Sequence, residues 1–289
     1  APHALHMPSH IFTRLGYWDE SIATNRRSAA AEPDSNAAVH PNDYMVYAYL
    51  QQGRDADAHR VIERSKVAAD RFYGAILGYN AVAMQARYPL ERSEWAEAAA
   101  LPVPAGSAPF VEAIARFARA VGSARSGNAA QAKVEVAALT TLRDSLAARK
   151  DSYWATIVDA QRLAASAWVA RSEGRSEDAV RLARQGAELE ETVEKHPVTP
   201  GPLLPARELE GDLLLELGRA ADALRSYEKT LEREPRRARA LYGAARAAEQ
   251  SKNTAAARAH YQELAQLMKG ADASRAEPKA AREFLARGL

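Results

Sequence analysis

A turn recurs along this chain at intervals that match one helical hairpin. It is marked by Gly16, Gly53, Ser93, Gly127, Gly174, Gly218 and Lys252, separated by 37, 40, 34, 47, 44 and 34 residues. Five residues after each turn stands a small side chain: Ser21, Ala58, Ala98, Ala132, Ala179, Ala223 and Ala257. Alanine makes up 65 of the 289 residues, too few to fill such a series by chance. Glycine ends a helix because it enters the left-handed conformation without a Cβ penalty. A small residue at a fixed distance beyond it lets two helix backbones cross closely.

Between the turns the strong helix formers Ala, Leu, Arg, Glu and Gln dominate, and apolar residues recur at three and four, not at two. The sequence therefore predicts an all-α chain of seven antiparallel hairpins over residues 3–31, 40–70, 72–100, 109–149, 152–195, 203–234 and 237–269. A helix over 275–287, with Ala281, Phe284 and Leu285 on one face, caps the last hairpin, as terminal repeats require. In the third hairpin Pro89 falls inside the first helix, and Pro102 and Pro104 cut the second short. Residues 101–109 and 196–205 read as extended interruptions, since proline and the residue before it avoid the α region.

Composition narrows the chemistry. The chain has no cysteine, which excludes disulfides, zinc–thiolate sites and thiol catalysis. Lys and Arg number 39 against 37 Asp and Glu, spread without a basic block, so nucleic acid is not an expected partner. No apolar run approaches the length of a membrane span. The chain reads as soluble, and the lack of cysteine suits either redox compartment, cytoplasm or periplasm. It starts Ala1-Pro2-His3, which reads as a processed chain or one lacking an upstream part.

The last two hairpins carry a resemblance. Counted from Leu204, positions 8, 15, 20, 24 and 32 hold Gly211, Gly218, Ala223, Tyr227 and Pro235. Shifted by 34 residues they hold Ala245, Lys252, Ala257, Tyr261 and Lys269. This period, with small residues at 8 and 20 and an aromatic at 24, resembles the tetratricopeptide repeat. The stretch from His3 through His6-Met7-Pro8-Ser9-His10-Ile11-Phe12 to Gly16 is similar to a motif of a group of bacterial tetratricopeptide-repeat proteins. So is His196-Pro197-Val198-Thr199-Pro200-Gly201, followed by Pro205 to Leu209. The resemblance implies a right-handed solenoid, further His-containing helical sequence upstream, and a non-catalytic scaffold that holds a protein or extended peptide segment in its concave groove.

It also implies which residues line that groove. In the first hairpin they are His3, His6, His10, Thr13 and Arg14. In the second they are His40, Asp43, Tyr47, Leu50 and Gln51, with Tyr44 adjacent. The fifth offers Trp168, as either a ligand anchor or a core residue. The sixth offers an acidic stripe of Glu208, Asp212 and Glu216, and the seventh Arg239, Tyr242 and Arg246. That stripe reads either as a solvated face or as the seat of a basic peptide. If seven hairpins complete a turn, the ends of the array approach each other and the stripe faces the histidines across the lumen.

No cofactor is expected, with one alternative. On a continuous helix His3, His6 and His10 share a face, and neutral imidazoles so spaced chelate a divalent transition metal such as zinc. His6, His10, His40 and Asp43 would then be the ligands. The competing reading makes these groove-wall histidines bonded to Tyr44, Tyr47 or Ser9. Pro8 complicates both, because it removes a helical hydrogen bond between His6 and His10. No phosphate loop, nucleophile elbow or HExxH motif is present, and the chain is not read as an enzyme.

Overall fold

The computed structural model describes residues 1–32, 38–69 and 75–287, which form an array of helices with no strand among them. The first hairpin pairs α1 (Pro2–His6) and α2 (Pro8–Arg14) with α3 (Trp18–Ala31). The second pairs α4 (Val39–Gln51) with α5 (Asp55–Ala69). Then come α6 (Ala75–Glu91) with α7 (Trp95–Ala99), and α8 (Pro109–Arg125) with α9 (Ala129–Ala148). The fifth hairpin is α10 (Ser152–Ser172) with α11 (Ser176–Glu190), and the sixth α12 (Ala206–Glu216) with α13 (Ala220–Arg233). The array ends with α14 (Ala238–Gln250), α15 (Thr254–Leu267) and α16 (Glu277–Ala286). The junction expected between hairpins two and three, at residues 70–72, lies outside the described residues.

The repeat register appears in the backbone. All seven turn residues, Ser93 and Lys252 included, have positive φ. All six alanines five residues further on, and Ser21, have no solvent exposure. A Cβ is the largest side chain that fits where the helices of a hairpin cross. Pro89 stands inside α6 near its C-terminal end, and α7 is a single short helix that stops before Pro102. α16 packs on α15, with Ala281 and Phe284 buried and the Phe284 ring 4.7 Å from that of Tyr261.

The two ends of the array meet. The Trp18 indole N–H donates to Arg236 O at 3.1 Å, and Arg236 donates to Gly16 O at 3.1 Å. Asp272 N–H donates to Gly53 O at 2.9 Å, and Arg275 grips Asp55 at 2.8 Å. Hairpins one and two thus dock on hairpins six and seven and the cap. The solenoid is a closed ring, and its concave face is an interior.

The seam admits no side chain at its turns. A Cβ on Gly16 would lie 2.5 Å from Pro235 O, and one on Gly53 2.4 Å from the Met268 methyl. Gly218 has a similar φ of 75° but open space around it. Gly218→Ala is therefore expected to cost about 1 kcal/mol of backbone strain. Gly16→Ala adds a clash with backbone and is expected to cost about 2–4 kcal/mol. Thermal denaturation of the two variants side by side checks the difference, and equal losses would mean that the seam does not bear on stability.

Candidate functional site

Three histidines and a tyrosine converge at the start of the ring. Pro8 does not scatter them. It takes the first position of α2, where its missing N–H costs nothing, and Met7 keeps helical angles (φ −47°, ψ −41°). His6 and His10 therefore stay on one face, and α4 brings His40 and Tyr44 against them. Ring centroids of His6 lie 4.6 Å from His10, 4.3 Å from His40 and 4.9 Å from Tyr44. His6, His10 and His40 each offer a ring nitrogen within 4.8 Å of the others. His3 stays exposed, its ring 6.1 Å from His6.

Hydrogen bonds fix how these rings present themselves. Asn25 Nδ2 donates to Ser21 O at 2.8 Å, so its Oδ1 faces His6 and accepts from Nδ1–H at 2.5 Å. Ser9, at a helix-crossing position, also reaches His6 Nδ1, at 3.1 Å. The proton on Nδ1 leaves a lone pair on His6 Nε2, which faces His10 Nε2 at 2.9 Å. His10 Nδ1 lies 2.9 Å from the Tyr44 hydroxyl, which also reaches Pro197 O at 3.3 Å. His40 Nδ1 is buried with no hydrogen-bond partner among the described residues, and the Asn80 side chain interacts with the ring.

Burial makes these imidazoles poor bases. It pushes His6 down to about 4 and His40 to about 3, with neighbouring histidines adding to the effect. His10 is also lowered, by burial and by the charge of Arg14. Burial pushes the Tyr44 phenol far up, so its hydroxyl keeps its proton.

Asp43 stands apart from the histidines. Its carboxylate is fully buried, accepting from Asn80 Nδ2 at 2.9 Å and facing Arg87 Nε at 3.3 Å. Arg87, itself without exposure, holds two main-chain carbonyls of the 196–205 segment: Pro202 O at 2.7 Å and Gly201 O at 2.8 Å. The Tyr47 hydroxyl would meet a Cβ on Gly201 at 3.0 Å, which is why the segment passes so close there. The segment is not extended throughout, contrary to what its prolines suggest: it turns at 196–199, where the Thr199 N–H returns to His196 O at 3.3 Å, and then passes over hairpins two and three, with the Tyr44 hydroxyl near Pro197 O. Exposed Arg14 holds Lys195 O at 3.0 Å where it enters. Beside it lies a cavity of about 60 Å³ lined in part by Tyr153, Trp154 and Glu190. Burial pushes the Glu190 carboxyl up to about 7, and it accepts from the Ala206 N–H that opens α12.

The acidic stripe is paired along its length, with Glu208 fully buried, Asp212 half-buried and Glu216 exposed. Arg237 is fully buried and forks onto Glu208 at 2.6 and 3.1 Å, with its other arm on Glu91 (2.8 Å) and Tyr47 (3.2 Å). Arg239 bridges Glu208 at 2.9 Å and Asp212 at 2.7 Å. Arg125 takes Asp212 at 2.9 Å and Glu216 at 2.8 Å, and lies 4.0 Å above the buried Trp168 ring. Trp168 is thus a core residue capped by a cation. Tyr242 is half-buried beneath exposed Arg246, 5.5 Å from its ring. Asn25, Asn80, Arg87, Arg125 and Arg237 belong to this interior, and the sequence reading did not single them out. Arg87 left a trace, as a lone charge in the otherwise apolar run 81–90.

Fold and interior together define a closed helical-repeat protein, and comparison places its repeats. Residues 209–276 match a tetratricopeptide repeat family model. The chain therefore carries tetratricopeptide repeats in the stretch where its period is most regular. It is similar in structure to a tetratricopeptide repeat protein from Parabacteroides merdae ATCC 43184 (12% identity, 99% of this chain and 97% of that one, TM-score 0.44). It is also similar to the P58(IPK) TPR domain (13% identity, 100% and 99%, TM-score 0.34) and yeast Tom70 (11% identity, 99% and 88%, TM-score 0.30). No curated protein sequence matches the chain. No helix among the described residues is long and apolar enough to cross a membrane.

Two outcomes follow from this electrostatics. An unfolded chain protonates His6 near 6.5 and the folded one near 4, so the unfolded state binds the extra proton in between. Stability is full above about 6.5 and falls as pH drops toward about 4. His6 alone accounts for a loss of about 2 kcal/mol between about pH 7.5 and pH 5. Urea denaturation at both pH values should show a shallower dependence in His6→Gln than in the parent. Separately, Arg237→Leu leaves Glu91 without its buried cation and Glu208 with Arg239 alone, and should cost about 3–5 kcal/mol in the same assay.

Proposed function

We propose that this protein is a non-catalytic binding scaffold whose concave face takes an extended, proline-containing protein segment. The observation that supports the reading is the segment 196–204. Beyond the turn in which the Thr199 N–H bonds His196 O, the backbone does not satisfy its own carbonyls, so whatever holds it must supply donors. Arg87 does so for Gly201 and Pro202. These contacts go to main chain and are indifferent to side-chain identity. Pro197, Pro200 and Pro202 pre-set the extended shape, which lowers the ordering cost of any segment bound this way. The face therefore already performs on its own chain the recognition that the repeat resemblance implies for a partner. A partner of the same chemistry competes with that tethered occupant.

The test replaces residues 196–202 by a Gly/Ser stretch of equal length and supplies the native segment as a labelled peptide. The replaced chain should bind the peptide saturably, and the intact chain more weakly, because its own segment is present at high effective concentration. Adding Arg87→Gln should weaken binding at least about tenfold, the worth of a charge-assisted hydrogen bond. A replaced chain that retains its helical circular dichroism and melting transition, yet takes up no peptide, would sink the reading.

A further inference from the structure

We propose that His6, His10 and His40 form a binding site for one divalent transition metal ion of the zinc class. The case begins with two nitrogens that face each other. His6 Nε2 and His10 Nε2 are 2.9 Å apart, and Asn25 keeps the His6 proton on Nδ1. Two lone pairs at that distance repel, so something positive must stand between them. Without metal it is a proton. His10 carries N–H on Nε2 and donates it to His6, while the Tyr44 hydroxyl donates to His10 Nδ1.

The second shell contains what is needed to replace that proton. Pro197 O stands 3.3 Å from the Tyr44 hydroxyl as an alternative acceptor. When Tyr44 turns to it, the phenol oxygen accepts from His10 Nδ1–H. The His10 proton has then moved from Nε2 to Nδ1, and both Nε2 lone pairs point at the same space. No net proton is gained or lost. Two of the three imidazoles, His6 and His10, would have the other nitrogen held by a fixed partner, Asn25 and Tyr44, the arrangement that orients histidines on metals.

The distances suit the class of ion. Zinc–nitrogen bonds are about 2.0–2.1 Å, so two ligands at a right angle are about 2.9 Å apart and at a tetrahedral angle about 3.3 Å. The His6–His10 pair is already in that range. His40 closes in by turning its ring, exchanging its contact with the Asn80 side chain for the ion, and its Nδ1 has no hydrogen-bond partner among the described residues. Three imidazoles without a carboxylate favour zinc, copper, nickel or cobalt over magnesium or calcium. Asp43 stays outside, committed to Arg87 and Asn80. The Tyr44 rearrangement uses Pro197 O of the segment lying on that face, whereas the three ligands themselves stand outside it.

The experiment titrates Zn²⁺ alone into the full chain after dialysis against chelator. One equivalent per chain is expected. His10→Ala and His40→Ala should each weaken binding at least about 100-fold, and Tyr44→Phe about tenfold, with exposed His59→Ala unchanged. Absence of binding to the parent overturns the site, as does equal affinity in the His10 and His40 variants. Should those variants fail to fold, Co²⁺ in the parent decides. Visible bands of a four- or five-coordinate nitrogen-ligated ion support the site, and the spectrum of the hydrated ion overturns it.

Discussion

Arg237 is fully buried and has four hydrogen bonds to make. Two go to Glu208 on the neighbouring hairpin. The others go to Glu91 and Tyr47, which arrive from the far side of the ring. A guanidinium taken out of water is costly unless every donor finds an acceptor, so hairpin seven is acceptable only where hairpins two, three and six converge on it. The closure of the array follows from that requirement. So does the interior position of Arg239 and Arg125, which neutralise the rest of the acidic stripe once the lumen has shut around it.

Much of the fold was legible because it rests on local rules. A turn that needs positive φ and a crossing point that admits only a small side chain leave fixed marks in sequence. Ser93 and Lys252 obey the first mark even without glycine, since position in the repeat outweighs residue preference there. Which partners Glu208, Asp212 and Arg239 take was not legible; they pair with one another and with Arg237 and Arg125. That depends on whether the ring closes, and closure is decided by contacts between residues about 220 apart, such as Gly16 with Arg236 and Asp55 with Arg275.

The histidine cluster shows the same division. Spacing alone put His6 and His10 on one face, and the second hairpin placed His40 and Tyr44 nearby. Asn25 and the Pro197 carbonyl, which decide where the protons sit, have no pattern that a single sequence would reveal. Asp43 was grouped with the histidines by repeat position. The fold turns it instead to Arg87, because a fully buried carboxylate is held where a cation can answer it.

An open solenoid is a modular object. Its stability is close to a sum over neighbours, and its length can change by whole repeats without disturbing the rest. The seam at Gly16 and Gly53 removes that freedom. Here hairpins one and two are held by hairpins six and seven and the cap as well as by their own neighbours, so a repeat inserted between the third and the sixth would move Trp18 from Arg236 and Glu91 from Arg237. Opening any one hairpin at the seam also breaks contacts made some 220 residues away. The array thereby unfolds as one unit and not repeat by repeat.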